Sequence, residues 1–412
     1  MRAEVVSVGT ELLLGEIVDT NSAWLSARLA DAGYDVFWSG RVGDNLDRVV
    51  AALEQALRRS QVVITTGGLG STDDDLTRTA VARVVGETPF VDETLEAGLR
   101  AWCARSSVPF QDIMRQQALR IASAESLPNR VGTAPGWLVR LPDDRFVVTL
   151  PGPPREMGAM WEEQALPRLP RLPWHLLRHT FKTCGIGEGK VFEMLGDWVK
   201  PSNPSVATYA KRDGVHVRVG ARAEGGDAAV RLAAPVLEAV RAILGASVWG
   251  ENDDELAGRI VEVLRAQGAR LATIESLTGG QVAQEITAVS GVSDVYLGGA
   301  VAYDPFVKMR LGVDRDIIVR HGVVSEETAR AMAEACAGWF GCAYALATTG
   351  VAGPSELEGK PPGTVFVAVR GPRGTVVREL RYAARSRAQV QERATFAALT
   401  LLWRVATTGS GG

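Results

Sequence analysis

A serine on a glycine-rich turn is the residue of this chain best suited to nucleophilic chemistry. Ser276 follows an apolar run at residues 270–274, and this order predicts a turn from a strand into a helix. The next positions include Thr278, Gly279 and Gly280, which would open that helix. Backbone N–H groups at such a turn can hold an oxyanion or a phosphate, and glycines allow a ligand to approach closely.

Lys308 is the best candidate for the base that this serine needs, because none of the four histidines lies in a pattern that marks it as the partner. Lys308 follows a second predicted strand at residues 295–303 and has apolar neighbours, so we expect its ammonium to be partly desolvated. Desolvation lowers the pKa of a lysine, and the neutral amine can then accept the serine proton. Tyr303 would orient the amine or relay the proton.

A simpler interpretation gives these residues no chemistry. Ser276 or Thr278 then caps a helix, and Lys308 is a solvated surface charge. Helix caps of this kind are far commoner than nucleophiles. The two interpretations differ in one distance, since a catalytic pair requires Ser276 Oγ and Lys308 Nζ to lie within direct or one-water hydrogen-bond reach, about 2.6 to 3.2 Å.

The N-terminal third contains a second glycine-rich loop. Apolar strands are predicted at residues 5–8 and 62–65, with a helix between them that Asn21 or Ser22 would cap. The second strand runs into a loop whose backbone N–H groups could hold the phosphates of a nucleotide. The candidate nucleotide contacts are Asn21, Gly67, Gly68, Gly70 and Thr72.

Three aspartates follow this loop at an expected helix start. Asp74 and Asp75 are the best candidates for holding a divalent metal ion, because carboxylate oxygens suit hard cations. Aspartate is also favoured at a helix N-terminus by capping and by the helix dipole when no metal is present. The sequence leaves both explanations open.

The alternation of strands and helices predicts an α/β fold with a doubly wound parallel sheet in the N-terminal domain and an α/β C-terminal domain. Residues 172–250 alternate short strand-like runs with two helical ones, which is typical of a small α+β domain. A proline-rich segment at residues 166–174 and an acidic turn at 250–255 mark the boundaries. We expect domains at 1–170, 171–250 and 251–408.

Composition excludes some classes of function. The 412 residues carry a formal net charge of −3 and are 46% hydrophobic, so there is no electrostatic case for binding nucleic acid or an anionic membrane. The four cysteines are scattered without CxxC spacing, which favours buried thiols in a reducing compartment. No apolar run reaches membrane length. We expect a cytoplasmic homodimer.

Ordered motifs in the C-terminal part resemble those of the nicotinamide mononucleotide deamidase domain. They are ATIESLTGG (272–280), GGAVAYDPFVKMRLGV (298–313), HGVVSEETA (321–329), TTGVAGP (348–354) and KPPGTV (360–365). The resemblance implies hydrolysis of the nicotinamide carboxamide with Ser276 as nucleophile and Lys308 as base, and without a cofactor. Tyr303 falls on the tyrosine of the motif. The substrate contacts so implied are Thr278, Gly279, Gly280, Thr349, Gly350 and Gly353.

The N-terminal motifs are similar to those of the CinA (competence/damage-inducible protein A) family. They are GTELLLG (9–15), DTN (19–21), VGDN (42–45), the loop at 67–77, NRVGTAPG (129–136) and PGPPREM (151–157). This resemblance spans nearly the whole chain. It implies a molybdopterin-binding-like N-terminal fold, a KH-like middle domain and metal-dependent hydrolysis of ADP-ribose, with a divalent ion of unknown identity.

The sequence departs from the family pattern at several positions. In the C-terminal part, Leu277 replaces a cysteine, Asp304 and Pro305 replace Ser-Asn, and the loop at 355–359 is a residue short. A different class of function also remains open, in which both pockets bind a nucleotide or pterin without turnover and the protein regulates partners. A binding module does not need a nucleophile and a base within reach of each other.

Overall fold

A computed structural model describes residues 1–383 and 386–408 of the chain. The chain divides into two compact units. The first comprises Met1–Leu177 and Ala221–Leu232, and the second comprises Arg178–Gly220 and Ala233–Gly412. Within the described ranges, no helix combines the length and the apolar character that crossing a lipid bilayer requires.

The N-terminal sheet has six strands in the order β2-β1-β3-β8-β7-β6. Its strands are β1 (Arg2–Val8), β2 (Asp35–Val42), β3 (Val62–Thr66), β6 (Ala124–Leu127), β7 (Gly136–Arg140) and β8 (Phe146–Leu150), and a separate pair is formed by β4 (Phe90–Val91) and β5 (Leu119–Arg120). The helices are α1 (Thr10–Leu14), α2 (Thr20–Asp31), α3 (Leu46–Arg59), α4 (Thr77–Val85), α5 (Glu93–Arg105) and α6 (Pro154–Met160). Alternate residues of β3 belong to two different hydrophobic cores. Val62 and Ile64 lie in one core and Val63 lies in the other, so both faces of the sheet are covered.

The expected parallel sheet is parallel only over β2, β1, β3 and β8. Strands β6 and β7 pair antiparallel with each other, and β7 pairs antiparallel with β8. The loops between these strands are too short for the crossover of a dozen or more residues that parallel pairing needs. The carboxyl ends of β1 and β3 still lie at the same edge, where a ligand site is expected.

The middle of the chain forms the predicted α+β arrangement. A four-stranded sheet has the order β10-β11-β9-β12. Its elements are β9 (Trp174–Thr183), α7 (Glu188–Leu195), β10 (Ser205–Lys211), β11 (Gly214–Glu224), α8 (Gly226–Leu244) and β12 (Val248–Glu251). Phe181, Val217 and Leu244 belong to its buried core, so the helices pack on one apolar face of the sheet.

The C-terminal sheet has five strands in the order β14-β13-β15-β16-β17. The strands are β13 (Leu271–Glu275), β14 (Tyr296–Val301), β15 (Tyr344–Gly350), β16 (Thr364–Gly371) and β17 (Gly374–Arg381), and the helices are α9 (Leu256–Ala266), α10 (Gln281–Thr287), α11 (Pro305–Arg310), α12 (Arg315–His321), α13 (Glu326–Phe340) and α14 (Arg387–Thr408). Strand β13 is parallel to both of its neighbours and fully buried. Its carboxyl end delivers Ser276 to the edge of the sheet.

Two helix starts in the N-terminal domain differ from the sequence-based expectation. Helix α2 is capped by Asp19, whose carboxylate accepts from the backbone amide of Ser22, rather than by Asn21 or Ser22. Helix α4 begins only at Thr77, so Asp74 and Asp75 lie in the preceding loop and not in a first helical turn. Capping of α4 therefore does not explain why aspartates occur at these positions.

Candidate functional site

Ser276 occupies a rigid turn immediately after β13. Its side chain is buried, and its backbone amide donates to the carbonyl of Thr348 on the neighbouring strand β15 at 3.0 Å. Gly280 begins helix α10 with φ at +100°, a conformation that other residues rarely adopt. From α14, Gln391 Nε2 donates to the carbonyl of Leu277 at 2.9 Å. The turn is therefore held by three separate elements.

Lys308 lies on the short helix α11 and reaches the serine directly. Its side chain is only 1% exposed, and Nζ donates to Ser276 Oγ at 3.2 Å. Nζ also donates to the carbonyls of Ala302 at 2.7 Å and Tyr303 at 3.1 Å. The structure thus brings together the two residues that the sequence proposed as a pair. It excludes the interpretation of Lys308 as a solvated surface charge.

The surroundings of Lys308 make the neutral amine accessible at a lower pH than is usual for lysine. Burial lowers the pKa of Lys308 to about 8, and the negative charges of Asp304 and Glu358 oppose part of this shift. A neutral amine has two N–H groups and one lone pair. The charged amine donates to Ser276 Oγ and to the two carbonyls; in the neutral form the carbonyls accept both N–H groups and the lone pair faces the hydroxyl of Ser276. This is the arrangement that a general base requires.

Tyr303 contacts Lys308 through its carbonyl rather than through its phenol. The side chain is 60% exposed, and its hydroxyl accepts from Arg387 Nη2 at 2.7 Å. Arg387 Nη1 also donates to the carbonyl of Gly353 at 3.1 Å. The phenol therefore belongs to a link between α14 and the loop after β15, and a role in proton relay finds no contact within the part of the chain described.

Replacement of Tyr303 by phenylalanine tests this distinction. We expect Tyr303→Phe to leave the pH at which the rate inflects unchanged, since the carbonyl that holds Lys308 is retained. Any loss should appear in KM, because only the link to Arg387 is broken. The measurement is kcat and KM across a pH series. A displaced inflection would return the phenol to the proton path.

The other predicted substrate contacts mainly build the turn. Thr278 Oγ1 donates to Glu275 and hydrogen-bonds Thr348 Oγ1, and Thr349 Oγ1 donates to the carbonyl of Val323 at 2.7 Å. A side chain at Gly350 would come within 2.6 Å of the carbonyl of Thr364, so that glycine allows two strands to approach. The remaining positions, Gly279, Gly280 and Gly353, all have positive φ.

Glu275 is a residue of this site that the sequence reasoning missed. It is buried at the end of β13, and its carboxylate accepts the first amides of α10. The helix is therefore capped neither by Ser276 nor by Thr278. An acidic residue at the end of an otherwise apolar strand was the available signal.

A cavity of about 450 Å³ opens in the N-terminal domain at the carboxyl ends of β1 and β3. Of the predicted contacts, it is lined by Asn21, Gly67, Gly68, Asp74 and Asp75. Its wall also includes Glu11, Asp19 and Asp44, which lie in the family motifs but were not named as site residues from the sequence. None of the lining residues is basic. A phosphorylated ligand would therefore need an accompanying cation.

The carboxylate of Asp75 holds its own loop. Oδ1 accepts from the amide of Gly70 at 2.7 Å, and Oδ2 accepts from the amide and hydroxyl of Thr72 at 2.8 and 2.6 Å. Gly70 and Thr72 thus act by shaping the loop and do not line the cavity. Asp74 lines the cavity, and its side chain is exposed. In residues 1–383 and 386–408, no group of three or more acidic, histidine or cysteine side chains stands ready to hold a metal.

Asn21 in the cavity wall and Arg78, which does not line the cavity, are two further polar groups of this domain. Asn21 Nδ2 donates to Thr66 Oγ1 at 2.9 Å and to the carbonyl of Gly152 at 2.7 Å, while its buried Oδ1 has no hydrogen-bond partner in the described structure. The buried guanidinium of Arg78 donates to the carbonyls of Leu69 and Pro135, both at 2.8 Å. Burial lowers the pKa of Arg78 to about 10. Arg78 joins the loop at 67–77 to the loop at 129–136, a role the sequence did not reveal.

Three family models match successive parts of the chain. The family model described as CinA C-terminal domain matches residues 253–406, and the model described as Probable molybdopterin binding domain matches residues 4–171. The Damage-inducible protein CinA KH domain matches residues 178–250. A CinA-like protein of Deinococcus deserti is 41% identical over 405 residues, which cover 98% of each chain. This chain belongs to the CinA family.

Other CinA proteins match over the whole chain or over part of it. A CinA-like protein of Deinococcus radiodurans is 41% identical over 420 residues, covering 100% of this chain and 99% of that protein. Among solved structures, the CinA protein of Thermoplasma acidophilum, described as of unknown function, is 32% identical with a TM-score of 0.39. The match covers 41% of this chain and 100% of the Thermoplasma chain.

The departures from the CinA pattern leave the serine and lysine in contact. Leu277 is buried in the core of the C-terminal domain. Asp304 caps α11 by accepting from the amide of Phe306 at 2.7 Å, and Pro305 is the first residue of that helix, a favoured position for proline. In the shortened loop, Glu358 accepts from the amides of Val323 and Val324. Each departure therefore has a local structural use.

Proposed function

We propose that the C-terminal domain of this CinA protein hydrolyses the carboxamide of nicotinamide mononucleotide to nicotinate mononucleotide and ammonia. One observation carries the proposal, the buried Lys308 Nζ at 3.2 Å from Ser276 Oγ with two carbonyls holding its N–H groups. The choice of this substrate among carboxamides comes from the resemblance of the C-terminal motifs to the deamidase domain.

In the first half of the reaction, Ser276 Oγ attacks the carboxamide carbon while neutral Lys308 accepts the hydroxyl proton. The carbonyl oxygen becomes an oxyanion. The backbone N–H groups of Leu277 and Thr278 donate to no acceptor in the described chain, so they are available to hold this oxyanion. The Lys308 ammonium then protonates the leaving nitrogen, ammonia departs, and a nicotinoyl ester of Ser276 is formed.

In the second half, water attacks the ester carbon and Lys308 accepts its proton. The second tetrahedral intermediate collapses, and the proton returns from Lys308 to Ser276 Oγ. Nicotinate mononucleotide leaves and the resting pair is restored. Lys308 acts as base and acid in turn, which requires a pKa near the working pH, and burial provides it.

The direct test incubates the full chain with nicotinamide mononucleotide and with ADP-ribose, each with and without divalent metal. Ammonia and nucleoside monophosphate are measured separately. Metal-independent ammonia release is the expected result for the C-terminal site. A protein that binds nicotinamide mononucleotide but releases no ammonia would support the non-catalytic alternative, a nucleotide- or pterin-binding regulator.

The activity should depend on pH through Lys308. Only the neutral amine accepts a proton, so log(kcat/KM) for ammonia release should rise by about one per pH unit below the pKa. It should level off above about 8, the value to which burial lowers the pKa of Lys308. The measurement is initial rate at low substrate between pH 5.5 and 9.5. A profile that falls with rising pH across this range would contradict a lysine base.

A second proposed activity is metal-dependent cleavage of ADP-ribose in the N-terminal domain. The observation that favours it is the N-terminal cavity, whose lining includes five acidic residues and no basic residue. The acidic residues are Glu11, Asp19, Asp44, Asp74 and Asp75. Such oxygen donors fit a divalent ion that is bound by one or two carboxylates together with substrate phosphates. When bound, the ion would neutralise and polarise the pyrophosphate. The protein residues orient the ligand, with Asn21 Oδ1 offering an acceptor to one of its hydroxyl groups.

A further inference from the structure

Glu275 forms an unusually complete set of hydrogen bonds for a buried carboxylate. The side chain is 1% exposed. Oε2 accepts from Thr278 Oγ1 at 2.7 Å and from the amides of Gly280 and Val282 at 3.0 and 3.1 Å. Oε1 accepts from the amide of Ala283 at 2.8 Å. A buried charge is tolerated only when it is compensated in this way, so the carboxylate and the turn fix each other.

These bonds decide which amides of the turn remain available. The carboxylate accepts from the amides of Val282 and Ala283, and the carbonyl of Thr278 accepts from that of Gln281, so the start of α10 has no amide left for a substrate oxyanion. The amides of Leu277 and Thr278 come earlier in the turn, and no described residue accepts from them. Glu275 thereby separates amides that build the turn from amides that can act on the substrate.

We propose that Glu275 is a positioning residue of the deamidase site, whose carboxylate fixes the turn so that Ser276 Oγ stays against Lys308 and the Leu277 and Thr278 amides face the developing oxyanion. This inference rests on the proposed amidohydrolase function. Glu275 makes no hydrogen bond to Ser276 Oγ or Lys308 Nζ in the described structure. Its effect on chemistry is therefore geometric, and it should change kcat without moving the pH at which the rate inflects.

The first variant is Glu275→Gln, which keeps the shape of the side chain but replaces one acceptor oxygen by a donor. We expect kcat for ammonia release to fall about 100-fold, the loss associated with a misplaced nucleophile or with removal of one oxyanion donor. KM and the inflection pH should stay at the wild-type values. The matched control is Asp314→Asn, which removes the charge of another carboxylate cap in the same domain, on α12. It should retain wild-type kcat.

Reactivity of Ser276 toward a fluorophosphonate probe separates this inference from the proposed substrate. The probe phosphonylates an activated serine with loss of fluoride and needs no recognition of nicotinamide mononucleotide. Labelling of Ser276 should be faster in the wild type than in Glu275→Gln by a factor similar to the loss in kcat. Equal labelling rates, including none in either protein, would overturn the inference. Labelling without ammonia release would instead reject only the proposed substrate.

A second variant guards against misfolding of the first. Thr278→Val removes one donor to Glu275 and leaves the carboxylate in place. It should lower the labelling rate and kcat in the same direction by a smaller factor. If circular dichroism shows that Glu275→Gln is unfolded, the Thr278→Val result decides the question. Unchanged labelling in a folded Thr278→Val protein would then overturn the positioning role.

Discussion

Ser276→Ala and Lys308→Ala are each expected to lower kcat for ammonia release by about 10³-fold or more, and the double variant should be little worse than either single one. The nucleophile and its base act in the same step, so removal of one leaves the other without a function. The buried contact of 3.2 Å between Nζ and Oγ is the structural reason for this coupling.

The control for this experiment is a buried hydroxyl elsewhere in the same domain. Thr400 on α14 is buried, and its Oγ1 makes no hydrogen bond within the described residues. Thr400→Val should therefore keep both fold and rate. Losses that multiply in the double variant would indicate that Ser276 and Lys308 act in separate steps, and the assignment of Lys308 as the base would be withdrawn.

Asp74→Asn is expected to reduce metal-dependent cleavage of ADP-ribose by about 10²-fold while ammonia release stays at the wild-type rate. The substitution removes a carboxylate charge from the wall of the N-terminal cavity, and a bound cation depends on that charge. Asp75→Asn should have the same direction of effect, but Asp75 also holds Gly70 and Thr72. Asp74 is thus the cleaner test.

The neighbouring Asp73 provides the matched control, because it is exposed and is not among the lining residues of the cavity. Asp73→Asn should leave both activities intact. A chelator should stop cleavage of ADP-ribose and spare ammonia release, since a serine and lysine pair needs no metal. Loss of ammonia release on chelation would show that the deamidation is metal-assisted, and Lys308 would lose its role as the sole base.

The secondary-structure elements and the types of chemistry could be predicted from the sequence. Runs of β-branched residues such as Val62–Thr66 become strands covered on both faces, and glycines after such strands mark turns at one edge of a sheet. Ser276 could be named because it follows a strand directly, and Lys308 because it lies on the short helix after the next strand. Strands that are adjacent and parallel end at the same edge, so β13 and β14 bring the two residues together.

The surroundings of these residues could be described only from the tertiary structure. Burial of Lys308 and the carbonyls that direct its amine depend on packing, which the neighbouring letters of the sequence do not report. Tyr303 offered a phenol in the sequence but contributes a carbonyl, because its ring points to Arg387. Glu275 read as the end of a strand, yet its carboxylate organises the turn after it.

The same holds for the N-terminal cavity. Glu11, Asp19 and Asp44 are separated along the chain from the loop at 67–77, and they join it because β2, β1 and β3 are neighbours in the sheet. Likewise, Asp75 looked like a helix cap until the start of α4 at Thr77 placed it in a loop. The sequence shows which side chains are present and on which element they lie. Their hydrogen bonds and desolvation arise from residues distant in the chain, so the pKa and the orientation of each side chain follow only from the fold.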